Sequence, residues 1–313
     1  MSDVFLFAGQ GAQYVGMGSD LACTPQYEDA FATAQDVLGV SLREIVEAGP
    51  AERLTLTENA QPAILLLGML HAAIAREAGA VPRLLLGHSL GEFAAWTAAG
   101  SLSLPDALRL VQLRGRAMQE AVPVGVGGMS AVISAPTQTV ESLCRIHAET
   151  TGRVVGVAVL NCPGNVVVSG HCDAVDAVCA EITQGGHGMV RPLSVSAPFH
   201  SPLLGPAAER LRVALAAMEV RSNEIAVIPN VTASVAEPGT DPDRIRGWLV
   251  EQVVAPVRWE ESLRVALATG ATRAFAMGPG TMQRSHLKRI SRRFPLVAMD
   301  IEEERSAFVG DGA

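Results

Sequence analysis

Basic side chains are in the minority in this sequence of 313 residues. Lysine and arginine together number 24 against 32 aspartates and glutamates, which leaves a formal net charge of −8. Binding a phosphate backbone with the whole surface would require a broad basic field. We therefore exclude nucleic acid as a partner.

The sequence also lacks a secretion signal and a long apolar run. In MSDVFLFAGQGAQ an acidic residue stands where a signal peptide carries lysine or arginine, and the apolar stretch is too short for a signal core or a membrane span. The five cysteines are odd in number and form no C-x-x-C pair, which argues against a disulfide framework or a zinc site. We expect a cytoplasmic protein that binds no metal and no membrane.

What is present is an alternation of short apolar runs with longer helical patterns, in a chain whose 49% hydrophobic content can bury a large core. This alternation is typical of an α/β architecture. VFLFAG at 4–9 predicts the first strand and RLLLG at 83–87 the second. Between them, the pattern predicts a helix that starts at Pro62 and ends at Gly79. Further strands are predicted near IAVIPNV, TRAFAMG and LVAMD.

The middle of the chain follows a different pattern. Its segments run strand, helix, strand, strand, helix, strand, from MSAVI to MVRPLSV, which is the order of a ferredoxin-like unit. We expect a small ferredoxin-like subdomain at 128–196, inserted into a large subdomain formed by 1–127 and 197–313. The glycine-rich VPVGVGGM would be the hinge between them.

The glycine-rich GQGAQYVGMG after the first strand does not fit a dinucleotide site. The G-x-G-x-x-G fingerprint requires glycine where Tyr14 stands, and no acidic residue ends a second strand about twenty positions on. We expect no bound cofactor.

A candidate nucleophile lies in GHSLG, between the second strand and a run of helix formers. A Gly-x-Ser-x-Gly turn at such a junction projects its serine from a strained corner, here Ser89. Its general base is predicted to be His200, in a proline-bracketed loop that directly follows a strand. His88 adjoins the nucleophile as a packing or hydrogen-bonding neighbour. His71 and His147 fall inside predicted helices and are interpreted as structural.

A second candidate lies in the helical segment SLPDALRLVQLRGRAMQEA, which starts with a capping-box pattern. At about 100° per residue, Arg114 falls on the same stripe as Ala107, Val111 and Met118. Arg114 should therefore face inward, where a guanidinium requires a carboxylate partner. Two partners remain open, an internal salt bridge or a free carboxylate on a substrate.

Five motifs in order carry a family resemblance: FAGQGAQYVGMG, GHSLGE, LRGRAM, PFHSPLL and EQVVAPVRW. Together they resemble the malonyl-CoA:acyl carrier protein transacylases and the related polyketide synthase acyltransferases. The resemblance implies an α/β-hydrolase-like large subdomain with an inserted ferredoxin-like small one. The sequence departs from the family pattern at Ala8, where proline is usual.

The resemblance also implies roles for individual residues. Ser89 would be acylated and His200 would be its base, oriented by the backbone carbonyl of Gln252. The oxyanion hole would be formed by the backbone N–H groups of Gln10 and Leu90. Substrate-binding positions are matched by Arg114, Phe199 and Asn161.

The implied reaction moves a malonyl group from malonyl-CoA through an acyl-serine to the phosphopantetheine thiol of an acyl carrier protein. The pathway, fatty acid or polyketide, stays open. We expect a monomer that meets its carrier protein in trans. The basic segment QRSHLKRISRRF is a candidate docking surface for that acidic partner, or else a solvated helix face.

Four other functions share parts of this pattern. A transferase for alkylmalonyl or aminoacyl-type units would use the same residues, although Phe199 resembles the malonyl-selecting form. An editing hydrolase is disfavoured by Arg114. A lipase-like hydrolase would need a histidine near the C-terminus, and only His286, in a basic helix, is available. A non-enzymatic docking subunit would be expected to have lost Ser89, His200 or Arg114.

Overall fold

A computed structural model describes residues 2–193, 195 and 197–311 and contains two separate β-sheets. The nine strands are β1 (Asp3–Phe7), β2 (Pro82–Gly87), β3 (Gly127–Ile133), β4 (Val155–Cys162), β5 (Asn165–His171), β6 (Met189–Pro192), β7 (Ala226–Ile228), β8 (Arg273–Met277) and β9 (Leu296–Ala298).

Thirteen α-helices accompany them in the described part of the chain. They are α1 (Pro25–Leu38), α2 (Leu42–Ala48), α3 (Ala51–Thr55), α4 (Thr57–Glu77), α5 (Gly91–Ala98), α6 (Leu104–Glu120), α7 (Thr137–Thr151), α8 (Cys172–Gln184), α9 (Gly205–Ala217), α10 (Pro242–Glu251), α11 (Trp259–Ala268), α12 (Met282–Ile290) and α13 (Glu302–Asp311).

The first sheet is parallel, with strand order β7-β2-β1-β8-β9. Every residue of β1 is buried, as expected of a central strand covered on both faces. In register, Phe7 lies opposite Gly87 on one side and Met277 on the other. The carboxyl ends of β1, β2 and β8 therefore meet at one edge of the sheet, where ligands bind in open α/β folds.

The second sheet is antiparallel, with strand order β4-β5-β3-β6, and α7 and α8 pack against it. This is the ferredoxin-like arrangement expected from the segment order. A separate hydrophobic core, which includes Val132, Val140, Val168 and Val178, lies between this sheet and its helices. The α/β fold class with an antiparallel insertion is confirmed. The boundary predicted at Ser196 lies outside the described residues.

One helix begins earlier than its sequence pattern predicted. Helix α4 starts at Thr57, so Pro62 lies inside it rather than at its first position. Proline there leaves the carbonyl of the preceding turn without its usual donor. Residues 57–61 are nevertheless helical, and Gln61 and Pro62 are buried. The predicted C-terminal stop is close, since Gly79 follows the helix end with φ +89°.

Within the described ranges, no helix combines the length and the apolar character needed to cross a membrane.

Candidate active site

Ser89 lies on the tight turn between β2 and α5. Its φ is +52°, a left-handed conformation that is uncommon for residues other than glycine. The flanking glycines permit the turn, because a Cβ on Gly87 would lie 1.8 Å from the carbonyl carbon of Gly91, and one on Gly91 would lie 2.4 Å from the oxygen of Phe7. This close approach explains both glycines of the motif.

Asn230 braces the same turn from the end of β7. Its Oδ1 accepts a hydrogen bond from the Ser89 N–H over 2.9 Å, and its Nδ2 donates to the carbonyl of Gly87 over 2.7 Å. The side chain is fully buried. These two bonds hold the strained backbone on both sides of His88.

His200 reaches the serine from a different part of the chain. Its Nε2 lies 2.7 Å from Ser89 Oγ, and its Nδ1 lies 2.8 Å from the carbonyl oxygen of Gln252. A carbonyl only accepts, so Nδ1 carries the proton and Nε2 is left as the acceptor. Burial, followed by the charge of Arg114, lowers the pKa of His200 to about 3. At neutral pH the imidazole is therefore uncharged and able to take a proton from Ser89.

Arg114 is buried beside the nucleophile, as its position on the helix stripe predicts. Its Nη1 donates to Gln61 Oε1 over 2.9 Å, and its Nη2 donates to Gln252 Oε1 over 3.0 Å and to Ser89 Oγ over 3.2 Å. The guanidinium carbon lies 5.2 Å from the centre of the Phe93 ring. Burial lowers the pKa of Arg114 to about 10, which leaves it cationic at neutral pH.

The partners of Arg114 bear on the two possibilities left open by the sequence, an internal salt bridge or a carboxylate of the substrate. Among the described residues, its hydrogen-bond acceptors are amide oxygens and a hydroxyl and no carboxylate oxygen pairs with it, although the charge of buried Glu92 acts on it without a direct contact. The internal salt bridge is therefore absent from that part of the chain. A buried guanidinium whose direct hydrogen-bond partners are all neutral favours a negatively charged ligand.

Gln10 lies in the loop after β1, and Leu90 directly follows Ser89 at the start of α5. In the described ranges neither backbone N–H has a protein acceptor. The Gln10 side chain donates to Thr57 Oγ1 over 3.2 Å. Two free N–H groups are what an oxyanion hole requires, and this role stays a prediction.

Asn161 and Phe199 are both buried. The Oδ1 of Asn161 lies 2.9 Å from His88 Nε2, so Asn161 holds the ring next to the nucleophile. His286 is also near this ring, with centroids 6.0 Å apart. Phe199 directly precedes the base. Their contact with substrate stays a prediction.

Sequence reasoning missed three buried polar residues of the site: Gln61, Glu92 and Asn230. Glu92 follows Ser89 by three residues, one helical turn later, and Asn230 follows the carboxyl end of a parallel strand. Both positions are signals that could have been used. Gln61 falls in the part of α4 that the sequence pattern placed outside a helix.

A serine on a strand-to-helix turn, a histidine oriented by a backbone carbonyl and a buried arginine without a carboxylate partner lie together on this mixed α/β fold. This combination is that of a serine-dependent acyltransferase.

Comparison with known proteins agrees. The family model described as acyl transferase domain matches residues 4–283. The malonyl CoA-acyl carrier protein transacylase of Bacillus subtilis (strain 168) is 39% identical over 300 residues, which cover 96% of this chain and 93% of that protein. The one from Escherichia coli (strain K12) is 39% identical over 288 residues, 91% of this chain and 92% of that one. The chain belongs to the malonyl-CoA:acyl carrier protein transacylase family.

Solved structures show the same fold. The acyl-carrier-protein S-malonyltransferase of Burkholderia pseudomallei matches with a TM-score of 0.94 at 36% identity, covering 99% of this chain and 100% of that one. A malonyl-transacylase solved in complex with its type II polyketide synthase acyl-carrier protein matches with a TM-score of 0.94 at 34% identity. The match covers 99% of this chain and 100% of that one.

Proposed function

We propose that this enzyme transfers a malonyl group from malonyl-CoA to the phosphopantetheine thiol of an acyl carrier protein through a malonyl-serine intermediate. The observation that carries the proposal is the position of Arg114, a buried cation 3.2 Å from the nucleophilic oxygen. In a malonyl ester the free carboxylate is one methylene away from the reacting carbonyl. A guanidinium beside Ser89 can therefore bind that carboxylate while the oxygen attacks.

In the first half-reaction, Ser89 Oγ attacks the thioester carbonyl and His200 Nε2 takes the hydroxyl proton. The negative charge on the carbonyl oxygen is stabilised by the N–H groups of Gln10 and Leu90, a contribution of about 3–4 kcal/mol per donor in comparable sites. The tetrahedral intermediate then expels the CoA sulfur, which takes the proton from His200. The products are malonyl-Ser89 and free CoA.

The second half-reaction repeats these steps with another thiol. His200 Nε2 removes the proton from the phosphopantetheine thiol, and the sulfur attacks the ester carbonyl of malonyl-Ser89. Collapse of the intermediate breaks the bond to Oγ, which regains a proton from His200. The nucleophile, the base and the oxyanion donors all come from the chain, so the proposed reaction requires no metal and no bound cofactor.

The same proposal includes the organisation of the enzyme. We assign 128–196 to the small subdomain and 1–127 with 197–313 to the large one, supported by the separate core of the antiparallel sheet. The enzyme is proposed to act as a monomer in the cytoplasm, where malonyl-CoA and the acyl carrier protein are available.

The test is the intact mass of the protein after mixing with malonyl-, methylmalonyl-, acetyl- and aminoacyl-type thioesters. We expect malonyl-CoA to add one malonyl group. Loaded enzyme should then lose that mass to a carrier protein bearing phosphopantetheine, and should keep it when the carrier lacks the prosthetic group. Preferential loading of another thioester would replace malonyl as the substrate, and rapid loss of the group to water would indicate an editing hydrolase.

A further inference from the structure

We propose that Glu92 is a positioning residue for acyl transfer, whose buried carboxylate fixes the amide of Gln252 and the backbone at Asn230 so that Ser89, His200 and Arg114 stay aligned. The inference rests on the proposed function, because alignment is measured by acyl loading. Glu92 itself does not touch the reacting atoms.

Three N–H donors converge on this carboxylate in the interior of the protein. Oε2 accepts from the Gln252 side-chain Nε2 over 2.7 Å and from the Asn230 backbone N–H over 2.9 Å, and Oε1 accepts from Trp96 Nε1 over 3.2 Å. Glu92 has no exposed surface. Removing one of its oxygen atoms, or replacing it by an amide NH2, would leave a buried donor without its acceptor, which is costly.

The contact with Gln252 connects Glu92 to the base and to the arginine. The Gln252 Nε2 that donates to Glu92 also donates to the Ser89 carbonyl over 2.9 Å, while its Oε1 accepts from Arg114 over 3.0 Å. The backbone carbonyl of the same residue orients His200. With a carboxylate at one end and a guanidinium at the other, the amide has one favourable orientation, since a flip would bring Nε2 towards Arg114 and Oε1 towards Glu92.

The contact with Asn230 connects Glu92 to the nucleophile. The Asn230 N–H is held by Glu92, and its side chain spans the strained turn by bonding to the Ser89 N–H and the Gly87 carbonyl. One carboxylate therefore restrains both the turn that presents the serine and the residue that orients its base. A displacement of about 1 Å between reacting groups can cost on the order of 10²-fold in rate.

Glu92 titrates in a range that an experiment can reach. Burial raises its pKa to about 7, opposed by its three hydrogen bonds and by the charge of Arg114 on α6. Arg114 is the charged group that acts on it, and His200, joined through Gln252, is the next titratable group of the network. Because the pKa of His200 is about 3, protonation near neutral pH occurs at Glu92 and not at the base.

The central experiment compares wild type with Glu92→Gln by rapid-quench loading from malonyl-CoA and acetyl-CoA between pH 5 and 9. We expect kcat to fall about 10–100-fold for both thioesters, with KM changed less than about threefold, because alignment is lost while Arg114 remains. In the wild type, kcat plotted against pH should decline below about pH 7 as Glu92 is protonated, and this acid limb should disappear in the variant. A variant with wild-type kcat, or with an unchanged acid limb, overturns the proposal.

Asp3→Asn is the matched control. Asp3 is a buried carboxylate on β1 that pairs with Arg273, away from the site. Loss of the Asp3 charge should lower the midpoint of thermal unfolding and leave kcat and its dependence on pH as in the wild type. If Asp3→Asn moves the profile as Glu92→Gln does, the effect is one of general stability and the positioning role is wrong.

Trp96→Phe provides a second variant that keeps the carboxylate, in case Glu92→Gln does not fold. The substitution removes the Trp96 N–H that favours the charged form of Glu92, so the pKa of Glu92 should rise and the acid limb of the kcat profile should move to higher pH. At pH 9, where Glu92 is ionised in both proteins, kcat should stay near the wild-type value. A limb that does not move contradicts the proposal. If no thioester acylates the wild-type protein, the proposed function is wrong. Failure of the proposed function is therefore distinguishable from failure of the positioning role of Glu92.

Discussion

The Nη2 of Arg114 lies 3.2 Å from Ser89 Oγ. In the described chain the hydrogen-bond partners of this guanidinium are the serine hydroxyl and two glutamine amide oxygens, and none is a carboxylate. This geometry combines two roles. Under the proposed mechanism the cation would stabilise charge that develops on the serine oxygen, and its remaining hydrogen-bonding capacity would bind a substrate anion. The proposed mechanism therefore couples substrate selection and activation in one side chain.

Ser89→Ala should abolish acyl loading and leave the fold intact. In the proposed mechanism the hydroxyl is the nucleophile, and it contributes little packing, whereas the turn is held by Asn230 and the flanking glycines. His200→Ala should also lose most transfer activity, because no base remains at Oγ. Intact mass after incubation with malonyl-CoA measures both, with circular dichroism as the folding control. A malonyl group on the Ser89→Ala protein would show that the nucleophile is a different residue.

Reversal of charge on α12 and the segment after it should weaken use of the carrier protein. Lys288, Arg289, Arg292 and Arg293 are exposed and have no salt bridge within the described residues, whereas Arg284 pairs with Glu304. The family resemblance implies an acidic carrier protein, whose approach a basic surface would steer. Arg289→Glu with Arg292→Glu should raise the KM for carrier protein several-fold and leave loading from malonyl-CoA unchanged.

The control for this pair is Arg145→Glu with Arg212→Glu, which changes the net charge equally at other exposed positions. Steady-state transfer at low and high salt measures the effect, and the difference between the two pairs should shrink as salt rises. Equal KM values for carrier protein in both double variants would remove α12 from the docking surface.

The fold and the central site residues could be predicted because each has a local signal. GHSLG encodes its turn in two glycines, and Arg114 is placed by helix periodicity. The polar residues around them have no such signal, since Gln61, Glu92 and Asn230 bond to residues that lie 53, 160 and 141 positions away in the chain. The helix start predicted at Pro62 is wrong because tertiary burial of α4 overrides the usual preference of proline for a first turn.

Gly115→Ala should destabilise the protein even though alanine is the better helix former. Gly115 lies on α6, where a Cβ would approach the Thr57 carbonyl oxygen of α4 to 2.6 Å. The clash is with backbone, so we expect a loss of about 1–3 kcal/mol despite a propensity gain of about 1 kcal/mol. On α10, a Cβ added to Gly247 would meet no atom within 4 Å, so Gly247→Ala should stabilise by about 0.5–1 kcal/mol. Urea unfolding measures both, and a stabilising Gly115→Ala would contradict the packing argument.

The free energy of unfolding should fall as pH drops below about 6.5. Burial lowers the pKa of His71 to about 4 and those of His200 and His286 to about 3, so these rings are neutral when folded and take protons when unfolded. Each contributes a loss of about 1.4 kcal/mol per pH unit between its folded pKa and 6.5. Burial raises the pKa of Glu92 to about 7, so between pH 7 and 4.5 the folded protein binds more protons at this group than the unfolded chain does. Its contribution to the free energy of unfolding therefore rises as the pH falls, and it offsets the loss from one of the three histidines.

His286→Asn tests this balance. Removing one titrating ring should make the slope of unfolding free energy against pH shallower by about 1.4 kcal/mol per unit at pH 5–6. Urea titrations at pH 7.5, 6.0 and 5.0 on wild type and variant provide the slopes. Parallel curves would mean that His286 is already protonated in the folded protein.

Arg114→Ala should change which thioester the enzyme prefers. Under the proposed mechanism, the malonyl carboxylate pairs with the desolvated guanidinium of Arg114 in the wild type. Truncation of Arg114 should therefore cost roughly 2–4 kcal/mol in transition-state binding. Malonyl loading should then fall by on the order of 10²–10³-fold. Acetyl-CoA has no carboxylate to lose, and the variant no longer contains a buried cation that acetyl-CoA leaves unpaired. We therefore expect acetyl loading to improve relative to malonyl loading, enough to invert or nearly invert the preference.

The measurement is kcat/KM for malonyl-CoA and acetyl-CoA on wild type and Arg114→Ala, with circular dichroism as the folding check. Arg116→Ala, two positions further along α6, is the control, because its partner Glu58 is on the surface and not in the site. It should leave the ratio of the two substrates unchanged. Equal losses of kcat/KM for both thioesters in Arg114→Ala would show that Arg114 only holds Gln61 and Gln252 in place. The carboxylate-binding role of Arg114 would then be wrong, and so would the assignment of malonyl as the acyl group, which depends on it.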